Sequence, residues 1–465
     1  MEMNVKTLLT LLMLFVSLKG SAQMIVVDKN GVSPTKYDYT SVARQITEGC
    51  ATKYDQAKAI YRWLCANISY DTTYSIYTAD ECWEQRRGVC QAYSELFYRL
   101  GEPLGLKVRI ISGTSKTEDD PAGSHAWVFV VTEGRSTGIL IDPTWGAGTV
   151  KGKVFTRNDN DMSWFHVDPH WMIFTHFPDD PDYQLLSEPV SRQQFDALPI
   201  LKPMLGEYGF SATDIFRRCM AGQTGMPDFY NEGRGYVRMV QAPLEKELRI
   251  GTEYVVGVQL LRQCEPALVN KDFYKDWVEQ DGVIWQRFVP TVPGEASLNI
   301  RKPGEKSYWT VLEYRVPQPT QADLARLEQR DPLLMPEIER LKNLNKESLR
   351  QCGVDGKKLL DAVRAGRVTA LPVIYRLDGK LLLDDVPLDE TLRVGQTYTF
   401  RFRPYYGKAW AVINEDDWYL EWSQDPETGA WVTSVTPQKA GTLKLSVQTE
   451  EGGDFWSCLK YVVKP

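Results

Sequence analysis

The sequence predicts an α+β domain followed by two all-β sandwich repeats. Two observations lead to this prediction: helical patterns precede strand patterns in the first 200 residues, and the C-terminal half contains an internal repeat. Helices followed by strands are typical of an α+β domain. The length of 465 residues allows about three domains of roughly 100–200 residues each.

Residues 1–22 have the pattern of an export signal. Lys6 supplies the positive start, an apolar run extends from Leu8 to Val16, and small residues precede Gln23. The run is shorter than the about 20 apolar residues that a membrane span needs. We therefore expect an exported protein, periplasmic or extracellular, with no integral membrane segment after the signal is removed.

The charge balance argues against one class of partner. The formal net charge is −7, the isoelectric point is near 5.4, and Lys and Arg form no run. A nucleic-acid partner requires a basic surface that meets the phosphates, so we expect no nucleic acid. The sequence indicates no particular oligomeric state.

The first domain is expected over 23–200. Apolar residues recur at helical spacing within 38–70, and a second helix is predicted to begin near Cys90 and to end at Gly101. Runs rich in Val, Ile and aromatic residues, separated by turn residues, then predict strands over 107–112, 125–131 and 138–142.

The C-terminal half contains two copies of one pattern. In both copies, the first Gly follows the first Pro by eight positions, and a Trp follows the second Gly by fifteen positions. The equivalent residues are Pro243 and Pro387, Gly251 and Gly395, Tyr254 and Tyr398, Pro290 and Pro437, Gly294 and Gly441, Trp309 and Trp456, and Tyr314 and Tyr461.

Each copy is predicted to be a β-sandwich of immunoglobulin-like type. Runs with a period of two residues, such as 398–402, indicate half-buried strands. The repeats are expected over 201–318 and 351–465, with a charged helical linker over 319–350. Trp309 and Trp456 are expected in the sandwich cores.

Cys90 is the first candidate for chemistry. A Cys in the first turn of a helix lies where unpaired backbone N–H groups and the helix dipole favour the negatively charged thiolate, which is the nucleophile. For a single Cys beside an apolar helix stripe, a buried structural residue is the alternative.

His125 and Asp142 are the second and third candidates. His125 begins a predicted strand, and its imidazole could take a thiol proton and return it to a leaving group. Asp142 ends the next strand, and its carboxylate could orient that ring in a Cys-His-Asp triad. Taken singly, His125 could be a surface residue and Asp142 a turn opener.

These residues lie within stretches that resemble a known family. The stretches are 58–71, 87–113, 124–130 and 140–148, and they resemble the transglutaminase-like (papain-related) superfamily. Residues 165–186 resemble the extension of the kyphoscoliosis-peptidase-like branch, which also carries β-sandwich domains after the core. The resemblance implies an α+β papain-like transglutaminase core in which Cys90 is the nucleophile, His125 the general base and acid, and Asp142 the orienting residue.

The sequence departs from the family pattern after the nucleophile, where Gln91-Ala92-Tyr93 replaces the common Gly-Tyr. The donors that would stabilise an oxyanion are not marked by a motif. The Cys90 backbone N–H is the expected first donor to the oxyanion, and Gln85 or Trp83 is the candidate for the second donor. Ordinary packing before the nucleophile is the alternative for both side chains.

His166 and His170 are four residues apart, with His176 beyond them, and this spacing is compatible with a zinc site. Asp168-Pro169 between the first two disfavours a regular helix, so we expect no metal and no cofactor.

The sequence thus predicts an exported enzyme that cleaves or transfers amide bonds through a thioester. Peptidase or amidase activity differs from transglutaminase activity only in whether water or an amine resolves the acyl-enzyme, and hydrolysis is favoured. The expected substrate is a protein or peptide amide. The alternative is a non-catalytic binding or scaffold protein that uses the same fold and the sandwich repeats for protein interaction.

Overall fold

The structure is a computed structural model that describes residues 12–16, 23–28, 30–132, 138–158, 161–375, 381–405 and 407–465. Strands β1 (Leu12–Val16) and β2 (Gln23–Val27) pair antiparallel. The rest of the predicted signal segment lies outside the described residues. Within these ranges, no helix has the length and apolar character needed to cross a membrane.

The first domain combines helices with a five-stranded antiparallel sheet. Its helices are α1 (Thr40–Ile46), α2 (Lys53–Asn67), α3 (Ala79–Gln85), α4 (Cys90–Gly101), α5 (Pro143–Ala147), α6 (Pro169–Met172), α7 (Arg192–Ala197) and α8 (Ala212–Met220). Its strands are β3 (Ser69–Tyr70), β4 (Arg87–Gly88), β5 (Lys107–Ser115), β6 (Gly123–Val131), β7 (Ile139–Ile141), β8 (Gly148–Lys151), β9 (Val154–Arg157), β10 (Phe165–Val167) and β11 (His176–Pro178).

The five-stranded sheet has the order β10-β7-β6-β5-β11, and every pairing in it is antiparallel. The α+β prediction is confirmed, and so are the helix from Cys90 to Gly101 and the three predicted strands. The stripe of α4 that was expected to be buried is buried, because its apolar residues follow the helical period and meet the sheet and α2.

The core of this domain extends beyond residue 200, the predicted end of the domain. Leu205, Ile215 and Met226 belong to the same buried cluster as Tyr93 and Trp127. Helix α8 is amphipathic, and its buried Ala212, Ile215 and Cys219 join this cluster, which the predicted boundary did not include.

Two β-sandwiches follow. The first contains β12 (Asp228–Phe229), β13 (Val237–Gln241), β14 (Tyr254–Leu260), β15 (Glu265–Asn270), β16 (Asp272–Tyr274), β17 (Val278–Gln280), β18 (Val283–Phe288), β19 (Gly294–Arg301) and β20 (Trp309–Val316). Its sheets have the orders β12-β20-β19-β15-β16 and β13-β14-β18-β17.

The linker contains α9 (Gln321–Arg330), α10 (Pro336–Glu339), α11 (Lys346–Gln351) and α12 (Gly356–Arg364). The helical segment therefore extends past residue 350, its predicted end. Leu327, Ile338 and Leu360 share a buried cluster with Leu298 of the first sandwich, so the linker packs on that sandwich rather than spanning open solvent.

The second sandwich contains β21 (Val373–Ile374), β22 (Leu381–Asp385), β23 (Thr391–Arg393), β24 (Tyr398–Pro404), β25 (Ala409–Asn414), β26 (Asp417–Tyr419), β27 (Ser423–Gln424), β28 (Trp431–Val435), β29 (Gly441–Gln448) and β30 (Phe455–Lys464). Its sheet orders, β21-β30-β29-β25-β26 with β23 beside β30, and β22-β24-β28-β27, reproduce those of the first sandwich. The predicted repeat of two immunoglobulin-like sandwiches is confirmed.

The residues that defined the repeat make the same hydrogen bonds in both copies. Tyr314 Oη donates to Pro243 O at 3.0 Å, and Tyr461 Oη donates to Pro387 O at 3.1 Å. The same holds for the first glycine of each copy, whose N–H donates to the carbonyl of the second proline. The spacing is thus conserved between the copies because these contacts close the same turns.

The tryptophans expected in the sandwich cores lie outside them. Trp309 is 45% exposed and Trp456 is 65% exposed. Each lies at or next to the start of the last strand of its sandwich, where the side chain points away from the opposite sheet. The prediction was wrong because a large aromatic residue in a strand does not reveal which face of the sheet it occupies.

Candidate active site

Cys90 is the first residue of α4, as predicted. The preceding residue, Val89, provides no side-chain cap, so the N–H groups of the first turn are not taken by a capping side chain. Cys90 is a free, partly exposed thiol. Its neighbour Gln91 donates from Nε2 to Gly31 O at 2.9 Å and to Glu95 Oε1 at 3.0 Å.

His125 is held by β6, where it pairs in register with Gly113 of β5. A Cβ atom at Gly113 would lie 2.8 Å from the Trp127 ring and closer still to the backbone of Phe177. The glycine therefore allows the indole of Trp127 to pack over the sheet beside His125, with ring centroids 6.0 Å apart.

Asp142 uses its two carboxylate oxygens for different purposes. Oδ1 caps α5 by accepting hydrogen bonds from the backbone N–H groups of Thr144 at 2.8 Å and Trp145 at 3.0 Å. Oδ2 accepts a hydrogen bond from His125 Nε2 at 2.7 Å. The turn-opening role of Asp-Pro and the ring-orienting role are therefore both fulfilled by one fully buried side chain.

His125 interacts with both other members of the predicted triad. Since Asp142 engages Nε2, Nδ1 is the ring nitrogen left for Cys90, which acts on the pKa of the same ring. Burial lowers the pKa of His125, but the charge of Asp142 and the interactions with Cys90 outweigh burial and raise the pKa above its usual value. Such an imidazolium can attract a thiolate and donate a proton.

The pKa of Asp142 is shifted in the opposite direction. Burial raises it, but the charge of His125 and the hydrogen bonds from His125 and His176 outweigh burial and hold the pKa well below its usual value. The carboxylate therefore remains charged at the base of the site.

His176 is a part of this network that the sequence did not reveal. Its Nε2 lies 3.0 Å from Asp142 Oδ2, and its side chain is fully buried. The available signal was the polar pair Thr175-His176 directly after the buried Ile173 and Phe174. Polar groups in such a position are expected to be buried and hydrogen-bonded.

The three histidines considered for zinc do not act together. His166 contacts Tyr54, His170 pairs with Asp168, and His176 reaches Asp142. The donor atoms of His125, Asp142 and His176 lie within 4.8 Å of one another, a spacing that a metal ion could use. Hydrogen bonds already account for the closeness of these donors.

The two candidate side-chain donors for an oxyanion, Trp83 and Gln85, lie outside the site. Trp83 stacks on Trp63 with ring centroids 5.4 Å apart, and the Arg86 guanidinium lies 3.9 Å from the centroid of Trp83. Gln85 is exposed and accepts a hydrogen bond from Arg87. Neither lines the cleft that contains Cys90.

Cys90 and His125 line a cleft of about 1620 Å³. Tyr70, Tyr74 and Tyr77 also line it, and residues between 199 and 205 and between 224 and 232 contribute from the region before and at the start of the first sandwich. This volume exceeds the roughly 300–1000 Å³ of typical small-molecule sites. The cleft can therefore hold an extended chain.

Arg234 forms two ion pairs next to the cleft. It pairs with Asp161 of the first domain at 2.7 Å and with Glu207 at 2.6 Å. Asp161 itself lines the cleft, so this ion pair fixes the position of one part of its wall.

The fold and this arrangement are those of a papain-related, transglutaminase-like domain. Residues 40–169 match the family described as the Transglutaminase-like superfamily. Kyphoscoliosis peptidase of Mus musculus is 30% identical over 200 residues, which cover 40% of this chain and 29% of that protein. The Homo sapiens protein of the same name is 31% identical over 161 residues, covering 31% and 24%.

Hillarin of Drosophila melanogaster is 25% identical over 214 residues, covering 40% of this chain and 26% of that protein. The chain thus spans less than a third of the length of each of these relatives. Its residues 40–169 form a transglutaminase-like domain, and the chain is similar to the kyphoscoliosis peptidases.

Proposed function

We propose that this chain is an exported cysteine enzyme that cleaves or transfers amide bonds through a thioester at Cys90. One observation carries the proposal: His125 lies between the Asp142 carboxylate and the Cys90 thiol, in a cleft that is open to substrate.

In the proposed reaction, Cys90 Sγ attacks the carbonyl carbon of the amide as a thiolate. The carbon–nitrogen bond then breaks, and His125 donates its proton to the departing amine, leaving a thioester on Cys90. Water or a second amine attacks the thioester, His125 accepts a proton from this nucleophile, and the thiolate leaves. Asp142 keeps the ring in one orientation and stabilises the imidazolium.

Hydrolysis is proposed over amine transfer because water is always available to resolve the thioester. A protein or peptide is the proposed substrate, and the size of the cleft supports this choice. Export rests on the pattern of residues 1–22 and is tested by N-terminal sequencing of the protein recovered outside the cytoplasm, with Gln23 as the expected first residue.

The test of the proposed chemistry is the alkylation of Cys90 by iodoacetamide at mildly acidic pH. The wild-type chain should react faster than free cysteine, and His125→Ala should remove that advantage. His170→Ala, which removes a histidine that pairs with Asp168, is the matched control and should react like the wild type. A Cys90 that reacts no faster than free cysteine, with or without His125, would favour a non-catalytic scaffold.

A further inference from the structure

Two histidines bind the same oxygen of Asp142. Oδ2 lies 2.7 Å from His125 Nε2 and 3.0 Å from His176 Nε2, and Oδ1 is taken by two backbone N–H groups. Of these two histidines, only His125 interacts with Cys90, so His176 belongs to the site without acting on the thiol directly.

The hydrogen bonds of His176 define its tautomer. Its Nδ1 lies 2.8 Å from Thr175 Oγ1. The other acceptor available to this hydroxyl, Met172 O, is 3.5 Å away, which is too long to compete. Thr175 therefore donates to Nδ1, and the proton of the neutral ring resides on Nε2, from which it is donated to Asp142.

The surroundings of His176 keep the ring neutral. The indoles of Trp127, Trp145 and Trp164 enclose it, with ring centroids at 5.0, 4.6 and 5.4 Å. Burial and the positive charge of His125 together lower the pKa of His176 to about 4, against the opposing effect of Asp142. Asp142 and His125 are the charged groups that act on it.

We propose that His176 is a positioning residue for the reaction proposed above: as a neutral Nε2–H donor fixed by Thr175, it holds the Asp142 carboxylate in the orientation that His125 requires. With four donors on two oxygens, the carboxylate cannot rotate, and Oδ2 is a weaker base toward His125. Asp142 can then stabilise the imidazolium without taking its proton, which remains available for the leaving amine.

The proposal is tested with three variants. His176→Phe keeps an aromatic ring but removes the donor, His176→Gln restores an N–H donor on a side chain of similar reach, and Thr175→Val removes the hydroxyl that fixes the tautomer. The rate of Cys90 alkylation by iodoacetamide is measured between about pH 5 and pH 9, with circular dichroism to verify folding.

We expect about a tenfold lower rate for His176→Phe, a smaller loss for Thr175→Val, and a rate near that of the wild type for His176→Gln. Wild-type rates in all three variants would overturn the proposal, because the donor would then have no effect on Cys90. An equal loss in the folded Phe and Gln variants would also overturn it, because the restored N–H donor would then not restore the rate. A wild-type rate in the Phe variant with a loss in the Gln variant would show that ring packing alone explains His176.

Nitrogen NMR of the wild-type chain provides a second measurement that does not depend on a variant folding. His176 should remain a neutral Nε2–H tautomer over the same pH range, and an imidazolium or an Nδ1–H tautomer near neutral pH would also overturn the proposal. Failure of the proposed function is distinguishable, since wild-type alkylation would then be independent of His125.

Discussion

His125 Nε2 and Asp142 Oδ2 lie 2.7 Å apart, with His125 6% exposed and Asp142 fully buried. Charges are strongly coupled in such a dry environment, so each partner stabilises the ionised form of the other. In the proposed mechanism, the reactivity of Cys90 therefore depends on a carboxylate that has no direct role toward the substrate.

Replacement of Asp142 by asparagine should reduce kcat by about 10²- to 10⁴-fold, because the amide carries no charge and favours the wrong tautomer of His125. Asp179→Asn, at a carboxylate that lines the cleft, is the control and should retain most of the activity. A comparable loss in both variants would indicate a general effect of charge on the cleft.

The stability of the fold should depend on pH through His176. Its pKa in the folded chain is lowered to about 4, so as the pH falls from about 6.5 to about 4 the unfolded chain binds a proton that the folded chain does not. The free energy of unfolding should fall over this window by up to about 3 kcal/mol. Urea unfolding at a series of pH values measures this slope.

His176→Gln should reduce that slope, since glutamine does not titrate. His125, whose pKa is raised, contributes in another window: its stabilisation is fully present below about pH 6.5 and is lost as the pH rises toward its folded value. If the free energy of unfolding of His176→Gln fell with decreasing pH as steeply as that of the wild type, the lowered pKa of His176 would be contradicted.

Glu95 accepts hydrogen bonds that hold the start of α4 in place. It accepts hydrogen bonds from Ser33 Oγ at 2.9 Å, Gln91 Nε2 at 3.0 Å and the Ala79 N–H at 3.1 Å. Glu95→Ala should cost about 3 kcal/mol of unfolding free energy, because these buried donors lose their acceptor. Glu95→Gln, which keeps an acceptor and the volume, should cost less than half as much, and equal losses would show that an amide cannot replace the carboxylate as acceptor.

The ion pairs of Arg234 should affect substrate binding more than chemistry. Arg234→Met breaks the link to Asp161 and Glu207, so we expect a severalfold higher KM for a polypeptide substrate with little change in kcat. Arg217→Met, which removes an exposed helical ion pair with Asp214, is the matched control and should change neither constant. A fall in kcat alone would refute this role.

The two sandwiches should respond alike to equivalent substitutions. Tyr314→Phe and Tyr461→Phe each remove one buried hydrogen bond to a proline carbonyl, and each should cost about 1 kcal/mol. Differential scanning calorimetry of the two variants measures both losses. A loss in only one variant would mean that the shared spacing does not reflect a shared energetic role.

The order of elements in the first domain could be predicted from the sequence because each carries a local signal. The stripe of α4 follows the helical period, and β5 and β6 carry runs of strand-forming residues between turns. Cys90, His125 and Asp142 lie at the boundaries of such elements, where the packing of helix on sheet brings them together.

The remaining features depend on contacts that leave no local pattern. His176 reaches Asp142 although β11 and β7 are separated in the sheet by β5 and β6. The direction of Trp83 depends on its stacking with Trp63 under Arg86, and the exposure of Trp309 depends on which face of β20 it occupies. Spacing in the sequence specifies none of these three.

The most direct test of the account is intact-mass measurement of the chain after brief incubation with a peptide amide or an activated acyl ester, followed by peptide mapping. We predict an added acyl group on Cys90 that forms in the wild type, is released by hydroxylamine as a thioester, and is absent from Cys90→Ala and greatly reduced in His125→Ala. An acyl group on another residue, or none on Cys90 with any acyl donor in a broad panel, would contradict it.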